Sequence, residues 1–133
     1  MLNKLNKKHG AFTLVEIMIV VAIIALLAAI AVPGFLRARK RSQASKILND
    51  LRLIDAAVDQ YAIENNLAGG VAVTVPQWTQ YLKAGTVLAN TGAHPTYGQY
   101  GDQTVDTIPV VPTNAFNDLS DVAPSSFWTP YYR

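Results

Sequence analysis

No polar side chain occurs between Ile17 and Val32, and over residues 12–32 the only polar residues are Thr13 and Glu16. As a helix this stretch would be about 31 Å long, matching the roughly 30 Å hydrocarbon core of a bilayer. A helix that is apolar on every side needs lipid or other protein all round it. The chain as a whole is 50% hydrophobic and 15% charged. Much of that imbalance lies in this one segment, and the rest reads as an ordinary small globular protein large enough for one modest core.

Three processes use such a segment. A secretory signal peptide would take Lys4, Lys7 and Lys8 as its basic region and cut near the small-x-small triplet Ala29-Ile30-Ala31. Glu16 inside the run, and helix-compatible sequence continuing past the cut, count against it. An uncleaved anchor has an ambiguous orientation. Three lysines precede the span, and Arg37, Arg39, Lys40 and Arg41 follow it, so the positive-inside rule slightly disfavours export of the C-terminal bulk. The third use accounts for Glu16. A carboxylate at bilayer depth costs about 2.5–3.5 kcal/mol, yet no Lys, Arg or His lies between Phe12 and Leu36. Cutting the chain just before the apolar run would create an α-amino group, cationic at neutral pH. It would lie four helical positions from Glu16, on the same face.

The residues Ala11-Phe12-Thr13-Leu14-Val15-Glu16, after a short leader containing Lys7-Lys8 and before a long apolar run, resemble the class III signal of type IV pilins and type II secretion pseudopilins. The resemblance covers about residues 4–60. It implies a leader removed by a prepilin peptidase, N-methylation of a new first residue Phe12, a Glu four positions later at Glu16, and a proline interrupting the helix at Pro33. One position departs from the pattern. The residue before the cut is Ala11 where the family has Gly, and Gly10 lies one further back. Cleavage between Ala11 and Phe12 preserves the spacing to Glu16 and Pro33; cleavage between Gly10 and Ala11 shifts both by one.

Pro33-Gly34 would ordinarily end a helix; in the resembled family the pair marks a kink or local melting. Periodicity then resumes. Ile47, Leu51, Ile54, Val58 and Tyr61 recur at four- and three-residue steps and form one apolar stripe. Asn65-Asn66 and Gly69-Gly70 end it. A helix from Thr13 to Glu64 would be about 78 Å long if straight, so its N-terminal half must protrude into lipid or other subunits.

Beyond it, Val71–Val75, Thr86–Leu88 and Thr104–Val111 read as strands, the last at an edge because of Pro109 and Pro112. Residues 76–84 read as a short helix started by Pro76 and stopped by Gly85. Residues 90–102 are turn-rich, with His94 a loop residue, and residues 112–133 read as irregular, closed by Phe116, Phe127, Trp128, Tyr131 and Tyr132. The aromatic residues suit core packing better than an adhesive surface. The expected fold class is α+β, the lollipop of type IV pilins: a long N-terminal helix packed on a small antiparallel sheet. The expected organisation is a leader (1–11), a membrane or filament-core half-helix (12–36), an amphipathic half-helix (37–66) and a small β domain (67–133).

Charge is asymmetric. Residues 1–52 carry nine Lys/Arg against two acids, and residues 53–133 two against seven. The cluster Arg37, Arg39, Lys40 and Arg41 borders the apolar span, so it suits anionic headgroups or acidic faces of neighbouring subunits. Nucleic acid is a poorer partner, since assembly would partly bury the patch. There is no cysteine, which removes disulfides, thiol catalysis and thiolate metal sites. Asn114, Asn117, Asp118 and Asp121 gather oxygen ligands of the kind calcium prefers, although such residues commonly cap turns; no other cofactor is indicated. No nucleophile elbow, phosphate loop or His-rich spacing supports catalysis.

The resemblance therefore implies a non-enzymatic filament subunit. It would first be single-pass in the inner membrane with its N-terminus cytoplasmic and its C-terminal domain periplasmic or extracellular, among membrane lipids. Its partners would be copies of itself, the peptidase and an inner-membrane assembly platform, and its destination a pilus or secretion pseudopilus. The rival is a monomeric anchored or secreted binding domain that uses the span only for export.

Overall fold

The computed structural model describes residues 10–132, so the leader lysines and His9 lie outside the described residues. The chain divides into two units, one ending at Leu36 and one beginning at Arg37.

In the first unit the chain enters helix α1 (Leu14–Glu64). Up to Leu36 its side chains are exposed, and the apolar stretch is long enough to cross a membrane with none of it buried. The backbone stays helical through Pro33 and Gly34, so the pair does not melt the helix here. Proline removes one hydrogen bond to the carbonyl four residues back and leaves the others of the ladder available.

In the second unit, the later part of α1 buries Ala44, Ile47, Leu51, Ile54, Val58 and Ala62, the stripe expected from the four- and three-residue spacing. The helix stops where Asn66 takes a left-handed conformation (φ 52°). The Leu67 N–H donates to the Ala62 carbonyl at 2.9 Å and the Asn66 N–H to that of Ile63. This is a Schellman ending with Asn in the position Gly usually fills.

Two antiparallel ribbons follow the α+β expectation. Strand β1 (Ala72–Val73) pairs with β4 (Gln103–Thr104), in register Ala72 with Thr104, and β2 (Ala93–His94) pairs with β3 (Gly98–Gln99). Helix α2 (Val75–Thr79) starts with proline in its first turn, as expected.

Three expectations are corrected. Thr86–Leu88 is not a strand: Thr86 caps helix α3 (Val87–Thr91) by accepting the Ala89 N–H at 3.2 Å, and Gly92 closes it at φ 65°. A Thr cap and a terminal Gly six residues apart outweigh a weak β-propensity. Only Thr104 of the segment Thr104–Val111 is in a strand; residues 105–106 form a turn with Asp106 at φ 60°, and residues 107–111 lack a ladder. The tail is not irregular: α4 (Thr113–Leu119) and a 3₁₀ turn (Ser125–Trp128) bury Ala115, Leu119 and Trp128.

The core has two parts along α1. The Ala44–Leu51 segment packs with Val111, Leu119, Trp128 and Tyr131 of the tail. The Ile54–Ala62 segment packs with Val73, Trp78, Leu88 and Val105. Trp78 and Trp128 are fully buried. Their indole N–H groups donate to the carbonyls of Gly101 and Ala123, so burial leaves neither donor unpaired.

Candidate functional site

Residues Gly10 to Thr13 are exposed and not helical, so both candidate scissile bonds, Gly10–Ala11 and Ala11–Phe12, lie just outside the helix. Phe12 is 82% exposed. Thr13 and Glu16 bond reciprocally: the Thr13 N–H donates to Glu16 Oε2 at 2.8 Å, and the Glu16 N–H donates to Thr13 Oγ1 at 3.2 Å. This capping box satisfies two of the donors that a helix start leaves open. It also sets a carboxylate at the positive end of the helix dipole.

In the sequence, the one cation near enough to pair with Glu16 is a newly made amine. The structure gives it a partner already, in the backbone N–H of Thr13. The signal was legible as Thr-x-x-Glu before an apolar run. The second carboxylate oxygen, Oε1, has no recorded hydrogen bond among the described residues, which leaves it available to another donor.

In the basic cluster, Arg37, Arg39 and Arg41 are exposed, but Lys40 is engaged within its own unit. Its Nζ donates to the Asp118 carbonyl at 2.9 Å and to Asp121 Oδ1 at 3.3 Å, and lies 3.9 Å from Asp118 Oδ1. Lys40 thus pins the end of α4 and the turn after it to α1. The other Asp118 oxygen accepts the Tyr97 hydroxyl at 2.7 Å. Burial, with this bond next, pushes the Tyr97 phenol up to about 12.

Those same residues are the calcium candidates, and the arrangement does not fit the ion. The Lys40 ammonium stands among the oxygens of Asp118 and Asp121, and like charge excludes a divalent cation from that place. Asn114 turns elsewhere, its Nδ2 donating to the Tyr97 carbonyl and its Oδ1 accepting the Ala115 N–H.

A second polar group is buried against α1. Asp50, 6% exposed, accepts the Tyr100 hydroxyl at 3.0 Å. Burial holds its carboxyl above the usual range, opposed by the Tyr100 bond. His94 is not a loop residue but part of β2, and it is 3% exposed. Its Nδ1 accepts the Thr96 N–H at 3.2 Å, so the neutral ring carries its proton on Nε2, which finds no acceptor. Burial pushes its pKa down. The Asp50 carboxylate and the His94 imidazole also act on each other electrostatically, each opposing the effect of burial on the other. Tyr97, Tyr131 and Trp128 are buried and Tyr132 is exposed, so most of these aromatic residues serve the core.

A family model described as the prokaryotic N-terminal methylation motif matches residues 6–32. The chain is 39% identical over 64 residues to the type IV major pilin protein PilA of Myxococcus xanthus, covering 48% of this chain and 29% of that protein. It is 30% identical over 61 residues to type II secretion system core protein G of Aeromonas hydrophila, covering 46% and 43%. It is 41% identical over 58 residues to the type IV major fimbrial protein FimA of Dichelobacter nodosus, covering 44% and 37%. The matched stretch spans less than half the length of each of these relatives. No solved structure matches the chain.

Proposed function

We propose that the chain, whose N-terminal half is similar to type IV pilins and type II secretion pseudopilins, is a structural subunit of that family that polymerises into an extracytoplasmic filament after its leader is removed. The observation that carries this reading is the junction at residues 10–16. An exposed, non-helical segment leads directly into a capped helix whose apolar length is bare on every side.

Each part has a role. A peptidase needs access to a non-helical segment, and the exposed, non-helical residues 10–13 offer it one at the membrane surface. Cleavage between Ala11 and Phe12 frees an amine, which is then methylated, one residue before the Thr13 cap. The bare helix stays in the inner membrane with the second unit outside the cytoplasm. On assembly it exchanges lipid for the same helix of other copies. Glu16 keeps Oε2 on Thr13 and turns Oε1 to the Phe12 amine of an adjacent subunit. That contact removes two costly charges from lipid as a pair and sets the axial register. The exposed Arg37, Arg39 and Arg41 rest on anionic headgroups before assembly and face neighbouring subunits after it.

Two measurements test the reading. Mass spectrometry of the mature protein is expected to find an N-terminus at Phe12 carrying one added methyl group. A start beyond Ala31 would support the export-only rival. Glu16→Ala is expected to abolish filaments seen by electron microscopy while leaving the protein in the membrane fraction. Normal filaments from that variant would refute the role of Glu16.

A further inference from the structure

Two flanks of the second unit are left apolar and unpaired, and they carry opposite charge. On one flank a groove of about 590 Å³ runs between α1 and the segment joining α2 to α3. Leu53, Leu82 and Val87 line it, with Lys46 and Lys83 at its margins; Leu53 is 45% and Val87 48% exposed. Its one acid, Asp50, is bonded to Tyr100. On the other flank the chain that leaves the turn after β4 exposes Ile108 and Val110, each 43%. These two residues stand two apart with Pro109 buried between them, so both project to the same side. Asp106 precedes them and is exposed.

The two flanks lie on opposite sides of α1. The groove takes Leu53 from the helix. The segment after β4 is anchored at one end beside Ala62, which shares a surface depression with Val105 and Asp106. At its other end the Val111 N–H bonds the carbonyl of Tyr131, whose hydroxyl faces Asp55. At about 100° per residue, Asp55 and Ala62 are roughly 160–180° around the helix from Leu53. Among the described residues the recorded ion pairs all belong to Lys40, so Lys46, Lys83 and Asp106 are not neutralised within the unit.

We propose that neighbouring copies join through these flanks, the Ile108–Val110 ridge of one copy seating in the Leu53–Val87 groove of the next, with Asp106 drawn to Lys83. The inference rests on the filament reading and specifies which surfaces of the second unit meet. Unlike surfaces on opposite sides make a head-to-tail contact. Such a contact leaves a free groove and a free ridge at the ends and so propagates instead of closing a dimer. Burial of two branched side chains supplies the attraction, and the Lys83–Asp106 pair sets the direction.

Because the chain lacks cysteine, introduced thiols report one contact at a time. The test is full-length chain carrying Val87→Cys with Ile108→Cys, expressed in cells that process it. Membranes and sheared filaments are oxidised with copper phenanthroline and resolved without reductant. The expected result is a ladder of dimers, trimers and higher species, with each single variant giving less than about a tenth of that product. Adding Lys83→Glu to the double variant is expected to reduce the ladder several-fold. Should the first pair block assembly, Leu53→Cys with Val110→Cys is read the same way. Filaments that form but give no ladder from either pair would overturn the flank contact and leave the filament reading intact. Dimers from Val87→Cys alone would overturn it too, since two grooves would then face each other. If the unaltered chain makes no filament and no pair gives a ladder, both readings fall.

Discussion

Replacing Tyr100 by Phe removes one oxygen atom and leaves Asp50 as a buried carboxyl without its donor. In the native structure the hydroxyl sits 3.0 Å from Asp50 Oδ2 and joins α1 to a residue 50 positions away. Asp50 is only 6% exposed, so water cannot replace the lost donor. Hydrogen bonds to charged groups contribute about 1.5–3 kcal/mol. For a unit of this size each kcal/mol shifts the melting temperature by about 4–8 °C, so Tyr100→Phe is expected to lower it by roughly 6–24 °C. Thermal unfolding of the full chain in detergent micelles, followed by near-UV circular dichroism, measures this.

Asp50→Asn separates the bond from the charge, since it keeps an acceptor for Tyr100 and removes the ionisable group. Burial holds Asp50 above its usual pKa, so the folded state binds the proton more tightly than the unfolded chain. Stability from this group falls as pH rises through the window above the ordinary carboxylate range. Asp50→Asn is therefore expected to be neutral or mildly stabilising at pH 7. In the Asn background, Tyr100→Phe should cost clearly less than in the native chain. A melting temperature for Tyr100→Phe within about 2 °C of native, or full additivity of the two substitutions, would refute the reasoning.

Lys40→Met is expected to destabilise by about 0.5–1 kcal/mol, the scale of a partly screened pair, and to make the tail between Asp118 and Trp128 exchange its amide protons faster; unchanged exchange there would show that Lys40 does not hold the tail. With that ammonium present, adding EGTA is expected to leave the melting temperature unchanged within about 1 °C, and a larger fall would restore the calcium site. His94 has its pKa lowered by burial, so below pH 6.5 the unfolded chain takes up the proton first. Stability is therefore expected to fall as pH drops from 6.5 toward the folded value, a slope that His94→Gln should flatten in equilibrium unfolding. Lys46 and Asp50 act on His94 with opposite sign, Lys46 deepening its depression and Asp50 resisting it. Trp128→Ala should cost about 3–5 kcal/mol through loss of the Ala44–Leu51 half of the core, read as a lowered melting temperature.

The local and periodic features were legible in the amino-acid order because they depend on neighbours along the chain. The bare span from Ile17 to Val32, the stripe from Ile47 to Val58 and the proline at the start of α2 follow from spacing and hydropathy alone. The Thr13–Glu16 box is equally local, but in the sequence its capping role competes with the cost of a carboxylate in lipid. Thr86 is likewise a local cap, hidden inside a short β-like run.

Contacts between distant residues were not legible, because no local rule brings residue 40 beside residues 118 and 121, or residue 50 beside residue 100. Only the folded chain decided that Lys40 sits among the oxygens of Asp118 and Asp121, and that His94 is buried with an unpaired nitrogen among the described residues. It alone set the groove and the ridge on opposite flanks of α1. Chain order determined that this protein carries a capped helix with a wholly apolar stretch from Ile17 to Val32 and an amphipathic continuation for a small α+β unit. Tertiary packing determined which charges and apolar side chains remain unpaired on that unit, since pairing depends on distances through space.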